Sequence, residues 1–154
     1  MNFPLFINLK DKKVLIVGAG AIAARRATVL TEFGAKVMVV APAAGDSVRE
    51  LAEAGRLVWK RHAFCEQDLE ALNRSFLVIA ATSDRAVNDH IVQLCHERHI
   101  PVNHAGDQTQ CDFQFPAIVQ KNPVVIGVNA GGKDHGLVRR VAAGLREWIA
   151  REKF

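Results

Sequence analysis

Residues 13–23 read Lys13-Val14-Leu15-Ile16-Val17-Gly18-Ala19-Gly20-Ala21-Ile22-Ala23. A short apolar, β-branched run that stops at a glycine is the pattern of a buried parallel strand. The residues after the strand set the chemistry. Gly18 permits a tight turn, Gly20 removes the side chain that would stand before the next helix, and Ala23 is small enough for that helix to pack against the strand. The unsatisfied amides and the dipole of a helix N-terminus hold anions. Gly18, Gly20, Ala21, Ile22 and Ala23 are therefore expected to hold the pyrophosphate of a dinucleotide. The competing reading is a strand-to-helix turn without a ligand; a strand before and a helix after favour the ligand.

Outward from this turn the chain alternates. Ala21 to Phe33 has helical spacing, with Ile22, Val29, Leu30 and Phe33 available to one side, and Gly34 ends it. Lys36 to Ala41 is a second buried strand, closed by Pro42. Ser47 and Glu50 have capping-box spacing and predict a short helix ending near Gly55. Leu57 to Arg61 is a weaker strand, followed by a helical turn around Glu66 to Leu72. Phe76 to Ala81 is a strand, Asp84 to His99 a helix turning Val87, Ile91, Val92, Leu94 and Cys95 inward, and Ile100 to Asn103 the next strand. This grammar predicts an α/β, Rossmann-like parallel sheet with helices on both faces. After Asn103 it changes. Phe113 to Gln120 and Val124 to Ala130 flank Lys121-Asn122-Pro123 as a hairpin. His135 to Glu152 is an amphipathic helix with Leu137, Val141, Leu145, Trp148 and Ile149 on one face. The expected division is 1–112 for the dinucleotide domain and 113–154 for a hairpin-plus-helix region.

Size and composition narrow the function classes. The chain has 154 residues, 49% hydrophobic and 23% charged, with net charge +4 and no tyrosine. That is a globular balance without a membrane-length apolar run or a signal-peptide start, so a cytoplasmic protein is expected. Basic residues are scattered rather than gathered in a stripe, which argues against nucleic acid. Cys65, Cys95 and Cys111 are odd in number and widely spaced, arguing against disulfides and a zinc ribbon; buried apolar thiols are expected. His90, His96 and His99 lie on or beside one helix and read as a solvated face, so no metal site is expected.

The end of the second strand, Val40-Ala41-Pro42-Ala43, lacks the acid that commonly holds ribose hydroxyls and lacks a base for a 2′-phosphate. Backbone near Pro42 and Ala43 is expected to serve there.

Several motifs occur together: Pro4-Leu5-Phe6, the glycine turn, Arg25-Arg26, Ala80-Ala81-Thr82-Ser83-Asp84 with Asn88, Pro101-Val102-Asn103, Cys111-Asp112-Phe113, Phe115-Pro116-Ala117 and Gly131-Gly132-Lys133. In this order, over nearly the whole chain, they resemble the precorrin-2 dehydrogenase family, the N-terminal region of siroheme synthases, some members of which are also chelatases. The resemblance implies NAD as cofactor, with Thr82 and Asp84 beside it, and precorrin-2, a polycarboxylate tetrapyrrole, as substrate. It also implies a homodimer formed through the hairpin and last helix, with the active site near the subunit boundary. Lys133, Arg139 and Arg140 are candidates for the substrate's carboxylates.

The chain departs from the family at the presumed general base. Relatives read Asn-Val-Val-Asp where this chain has Asn103-His104-Ala105-Gly106, so Gly106 takes the Asp position and Asp107 comes next. Either Asp107 reaches in, turned by a glycine of positive φ, or His104 acts as base, or the base is lost. Otherwise Asp107 reads as a loop acid, His104 as a satisfied strand-end side chain and Asp112 as a local cap. Longer members also carry a further helical module, so a substrate lid or wall is expected either to be missing here or to be supplied by a partner. Three functions stay open: the dehydrogenase, a non-catalytic cofactor- or tetrapyrrole-binding module, and a sirohydrochlorin chelatase.

Overall fold

The computed structural model describes residues 2–70 and 75–153. They form two compact units, one spanning Ile7–Phe113 and the other Gln114 onward with the N-terminal segment through Phe6.

In the first unit β1 (Lys13–Val17), β2 (Lys36–Val40), β3 (Leu57–Lys60), β4 (Leu77–Ala80) and β5 (Val102–His104) form a parallel sheet in the order β3-β2-β1-β4-β5. The order reverses between β1 and β4, so a crevice opens beyond their carboxyl ends, the usual ligand position in such sheets. Connecting them are α1 (Ala21–Glu32), α2 (Asp46–Glu53), α3 (Gln67–Glu70) and α4 (Arg85–Glu97). The helical turn expected through Leu72 is represented by α3; residues 71 and 72 lie outside the described residues.

Leu15, Val17, Met38, Val40, Val78, Ala80 and Val102 pack with Ile91, Val92, Leu94 and Cys95 of α4. The alternate residues Val14, Ile16, Val37, Val39 and Ile79 are buried as well, so both sheet faces are covered, as parallel strands require. Each such fully buried aliphatic side chain contributes about 1.5–3 kcal/mol of transfer free energy.

Local details of the first unit differ from expectation at several points. α1 buries Ala23, Ala27 and Leu30 while Ile22 is exposed; close approach beside the glycine turn selects small side chains over large ones. α2 starts one residue before Ser47, with Gly45 at its N-cap and no side-chain cap, so Ser47 lies inside the helix and makes no capping box. β5 runs to His104 rather than ending at Asn103.

In the second unit β6 (Ala117–Lys121) and β7 (Val124–Val128) form an antiparallel hairpin with Lys121 opposite Val124. The helix α5 (His135–Arg151) is capped by Asp134, whose carboxylate accepts from the Leu137 amide at 2.7 Å. Ala142, Ile149 and Leu145 pack on Val119, Ala117, Val124 and Ile126. Leu137, Val141 and Trp148 stay exposed. The apolar face expected to be continuous is thus two stripes, one on the hairpin and one open.

Candidate functional site

A cleft of about 550 Å³ opens at the carboxyl ends of β1, β2 and β4, lined by Gly18–Gly20, Ala41–Gly45, Ala63, Phe64 and Ala81–Asp84 among others. Gly18 has φ +106° and donates its amide to Val40 O at 2.9 Å. A Cβ at this position would lie 2.2 Å from Ala81 O, so only glycine lets the turns after β1 and β4 meet. Gly20 serves differently. It caps α1 with extended backbone and no side-chain bond, and a Cβ there would meet nothing within 4 Å. The first-turn amides of α1, at Ala21, Ile22 and Ala23, have no intrahelical acceptors. Bare amides before open space fit a pyrophosphate in shape and sign.

Thr82 and Asp84 line the same cleft, and their backbone is held by Asn88, a buried residue of α4. Asn88 Oδ1 accepts from the Thr82 amide at 3.0 Å and from its hydroxyl at 2.8 Å, and Asn88 Nδ2 donates to Thr82 O at 3.1 Å. Asp84 caps α4, accepting from the Ala86 and Val87 amides. The Ala-Ala-Thr-x-Asp motif is therefore a turn braced for shape, with one cap oxygen committed to the helix.

Pro42 and Ala43, expected beside a ribose, line the cleft. Trp59 Nε1 donates to Ala41 O at 2.9 Å, and Arg61 stacks on the Trp59 ring, 4.4 Å from its centre. The nearest acid on α2, Asp46, is exposed and paired with Arg49 at 2.7 Å.

Neither expected base lines this cleft. His104 is 3% exposed, and its Nδ1 accepts from the Gly106 amide at 3.0 Å, so the proton of the neutral ring sits on Nε2. Nε2 stands 3.2 Å from Asp89 Oδ1, bent too far for a full hydrogen bond. Gly106 is not among the glycines of positive φ; the turned-back carboxylate that such a φ would produce is not formed. Asp107 instead caps the short 3-10 turn Gln108–Gln110. Its Oδ1 accepts from the Thr109 hydroxyl at 2.6 Å and amide at 3.0 Å, while Oδ2 meets Arg85 at 2.8 Å and Gln110 at 3.4 Å. The Thr109 hydroxyl first, then the Thr109 amide and Gln110, with a smaller share from Arg85, hold its carboxyl down at about 2. An acid so well supplied with donors binds a proton weakly.

The remaining motif residues staple the loop after β5. Arg26 Nη1 donates to Asn103 Oδ1 at 2.6 Å, and Asn103 Nδ2 to Phe113 O at 2.8 Å. Asp112 accepts from the Val102 amide at 2.9 Å, bridging strand and loop rather than capping. Cys111 Sγ lies 3.2 Å from the His104 amide and half-buried. Cys95 is buried, and that burial pushes its thiol up to about 12. Cys65 is exposed, a correction to the expectation that the thiols are buried. Phe64 lines the cleft, and Asn88, Arg26 and Arg85 bond to Thr82, Asn103 and Asp107; residue-by-residue reading does not single these four out. Asn88 and Arg26 had a signal in the motifs, whereas Arg85 and Phe64 had none. Lys133, Arg139 and Arg140 are exposed on the second unit.

Residues 5–117 match a family model described as "Putative NAD(P)-binding". Siroheme synthase of Photorhabdus laumondii is 39% identical over 138 residues, covering 90% of this chain and 29% of that protein. Siroheme synthase of Pseudomonas fluorescens is 39% identical over 146 residues, covering 95% of this chain and 31% of that protein. The chain thus spans about three-tenths of the length of these curated relatives. A solved structure, "SirC, precorrin-2 dehydrogenase", superposes with a TM-score of 0.78 at 29% identity, covering 95% of this chain and 70% of that one.

Proposed function

Because the chain belongs to this NAD(P)-binding family, we propose that it is an NAD-dependent precorrin-2 dehydrogenase, oxidising precorrin-2 to sirohydrochlorin in siroheme synthesis. The observation that carries this reading is the Gly18–Ala23 turn: bare amides before open space, in a cleft at the sheet's switch point. The likeness to siroheme synthases and to SirC along nearly the whole chain supports the substrate. A nicotinamide bound here supplies the hydride-accepting chemistry that oxidation of a CH–CH bond needs.

The chain's own residues divide the remaining work. Amides of Gly20, Ala21, Ile22 and Ala23 hold the pyrophosphate, and backbone at Pro42 and Ala43 holds the ribose. The braced Thr82 turn and Asp84 frame the far end of the cleft. NAD is favoured over NADP because Ala41–Ala44 offer no cation to a 2′-phosphate. Lys133, Arg139 and Arg140 recognise substrate carboxylates. Asp107, whose side chain keeps 18% exposure against 2% for His104, is the better placed proton acceptor, though a weak one. The exposed stripe of Leu137, Val141 and Trp148 supports a homodimer. Among the described residues no helix is long and apolar enough to cross a membrane, and the proposed reaction belongs to the cytoplasm.

One observation favours a second reading. A carboxyl held at about 2 and a sealed imidazole are poor bases, which suits a module that holds NAD(H) or a tetrapyrrole without turnover. Anaerobic incubation with precorrin-2 and NAD separates the two. The dehydrogenase forms sirohydrochlorin and NADH in equal amounts; the module binds NAD and forms neither. Failure to bind NAD would remove the dehydrogenase, and failure to bind either NAD or precorrin-2 would remove the module as well. For the module, Gly106→Asp is the informative variant. The added Cβ would meet only His104 Cε1, at 3.4 Å, and Nδ1, at 3.7 Å, so the fold accepts it, and it should create turnover.

A further inference from the structure

The segment joining β3 to α3 reads His62-Ala63-Phe64-Cys65-Glu66-Gln67-Asp68. His62 Nδ1 lies 2.9 Å from Ala63 O. A carbonyl only accepts, so Nδ1 carries the proton and the neutral ring presents a lone pair at Nε2. Nε2 stands 3.5 Å from Asp68 Oδ1. Two acceptors therefore oppose each other unless something positive lies between them.

Asp68 makes the need sharper. It is 3% exposed, and a buried carboxylate requires compensation. Among the described residues its side-chain partners are the Cys65 amide at 3.0 Å, the Cys65 Sγ at 3.4 Å and the His62 ring. No lysine or arginine is among them. One ligand atom each from His62, Cys65 and Asp68 lie within 4.8 Å of one another.

These separations match a metal's coordination shell. Tetrahedral zinc, with bonds of about 2.0–2.3 Å to nitrogen, oxygen and sulfur, sets neighbouring ligand atoms about 3.3–3.6 Å apart. His62 Nε2 to Asp68 Oδ1, at 3.5 Å, and Cys65 Sγ to Asp68 Oδ2, at 3.4 Å, fall in that range on the two oxygens of one carboxylate, and the three ligand groups lie within 4.8 Å of one another. The Nδ1–H bond to a backbone carbonyl is the outer contact that orients a ligating histidine. We propose that His62, Cys65 and Asp68 form a binding site for a borderline divalent cation of the Zn²⁺ class, with a fourth position open to solvent. The cation neutralises Asp68, replaces the Cys65 thiol proton and occupies the His62 lone pair.

The site is separate from the proposed dinucleotide site, since none of its three ligand residues lines the cleft. It nevertheless touches the cleft by way of the chain, because Ala63 and Phe64, between two of the ligands, form part of the wall. A bound cation would hold that wall in place.

Cobalt(II) titrated into the full chain tests the proposal, read by the thiolate-to-cobalt charge-transfer absorption and by displacement with Zn²⁺. The expected result is one cobalt per chain with a thiolate band. Cys65→Ser should abolish the band, and both it and His62→Ala should weaken Zn²⁺ binding by about tenfold or more. His135→Ala, an exposed histidine on the other unit, should change neither. Both informative substitutions lie at exposed residues, so folding is preserved and checked by thermal melting. Cobalt binding without a thiolate band, or a band that survives Cys65→Ser, overturns the site. So does Zn²⁺ binding no tighter than in Cys65→Ser; the trio is then a protonated imidazole paired with a carboxylate.

Discussion

Gly18 and Gly20 sit two residues apart and answer to different demands. At Gly18 both the backbone conformation and the neighbouring carbonyl forbid a side chain. Gly18→Ala should therefore destabilise the fold by roughly 2–4 kcal/mol, read as a lower urea midpoint without any ligand present. At Gly20 the space is open, so Gly20→Asp should fold normally and lose NAD binding, since a carboxylate would stand where bare amides face a pyrophosphate. Calorimetry showing unchanged NAD affinity in folded Gly20→Asp would disprove the site. Asp107 makes a pH-dependent prediction. Its carboxyl falls from an ordinary 3.8 to about 2 on folding, chiefly through Thr109. A depressed acid stabilises the fold above its unfolded value and loses that contribution as pH falls toward the folded one. Asp107→Asn should thus be less stable than the wild type at neutral pH, with the gap closing between about pH 4 and pH 2. Urea midpoints across that range measure it. If Asp107 is also the proton acceptor, the same variant should slow turnover by roughly 10²–10⁴.

Among the elements, α4 shows how one helix start serves both stability and site. Asp84 caps it through the Ala86 and Val87 amides, and Asn88, one turn in, braces the Thr82 turn on the cleft. Asp84→Ala should cost about 1 kcal/mol, and Asp84→Asn should restore most of it because asparagine caps equally well. Following NAD affinity in the same pair separates shape from charge. Affinity should recover with the cap in Asp84→Asn; stability recovering without affinity would mean that the carboxylate itself meets the cofactor. The hairpin and α5 carry a different lesson. Helical periodicity correctly marks Leu137, Val141, Leu145, Trp148 and Ile149 as apolar and assigns them one face. The stripe against β6 and β7 takes Leu145, Ile149 and Ala142, leaving a second stripe that periodicity alone could not separate from the first.

That second stripe sets the prediction for the whole molecule. Leu137, Val141 and Trp148, four and then seven residues apart on one side of α5, are each more than two-fifths exposed, an apolar line that a monomer would leave in water. Light scattering at tens of micromolar should give a dimer mass. Trp148→Glu should shift it to a monomer without unfolding, since Trp148 is not among the residues packed on the hairpin. A wild-type chain that is strictly monomeric at that concentration would exclude the dimer.

The parallel sheet, the hairpin-plus-helix tail and the glycine turn are all legible along the chain, because each obeys local rules. Buried strands need apolar runs, helices need a 3.6-residue period, and a turn at φ +106° against a carbonyl needs glycine. The roles of the polar residues emerge only once the chain is folded. Asp107 and His104 were legible as candidates, yet their partners are Arg85, Asp89, Thr109 and the Gly106 amide. Asn103 is satisfied by Arg26, 77 positions away. Which carboxylate is bound and which is available depends on donors brought from other segments, and no local pattern records them. The same is true of His62, Cys65 and Asp68, whose spacing names no known motif and whose convergence depends on the bend between β3 and α3.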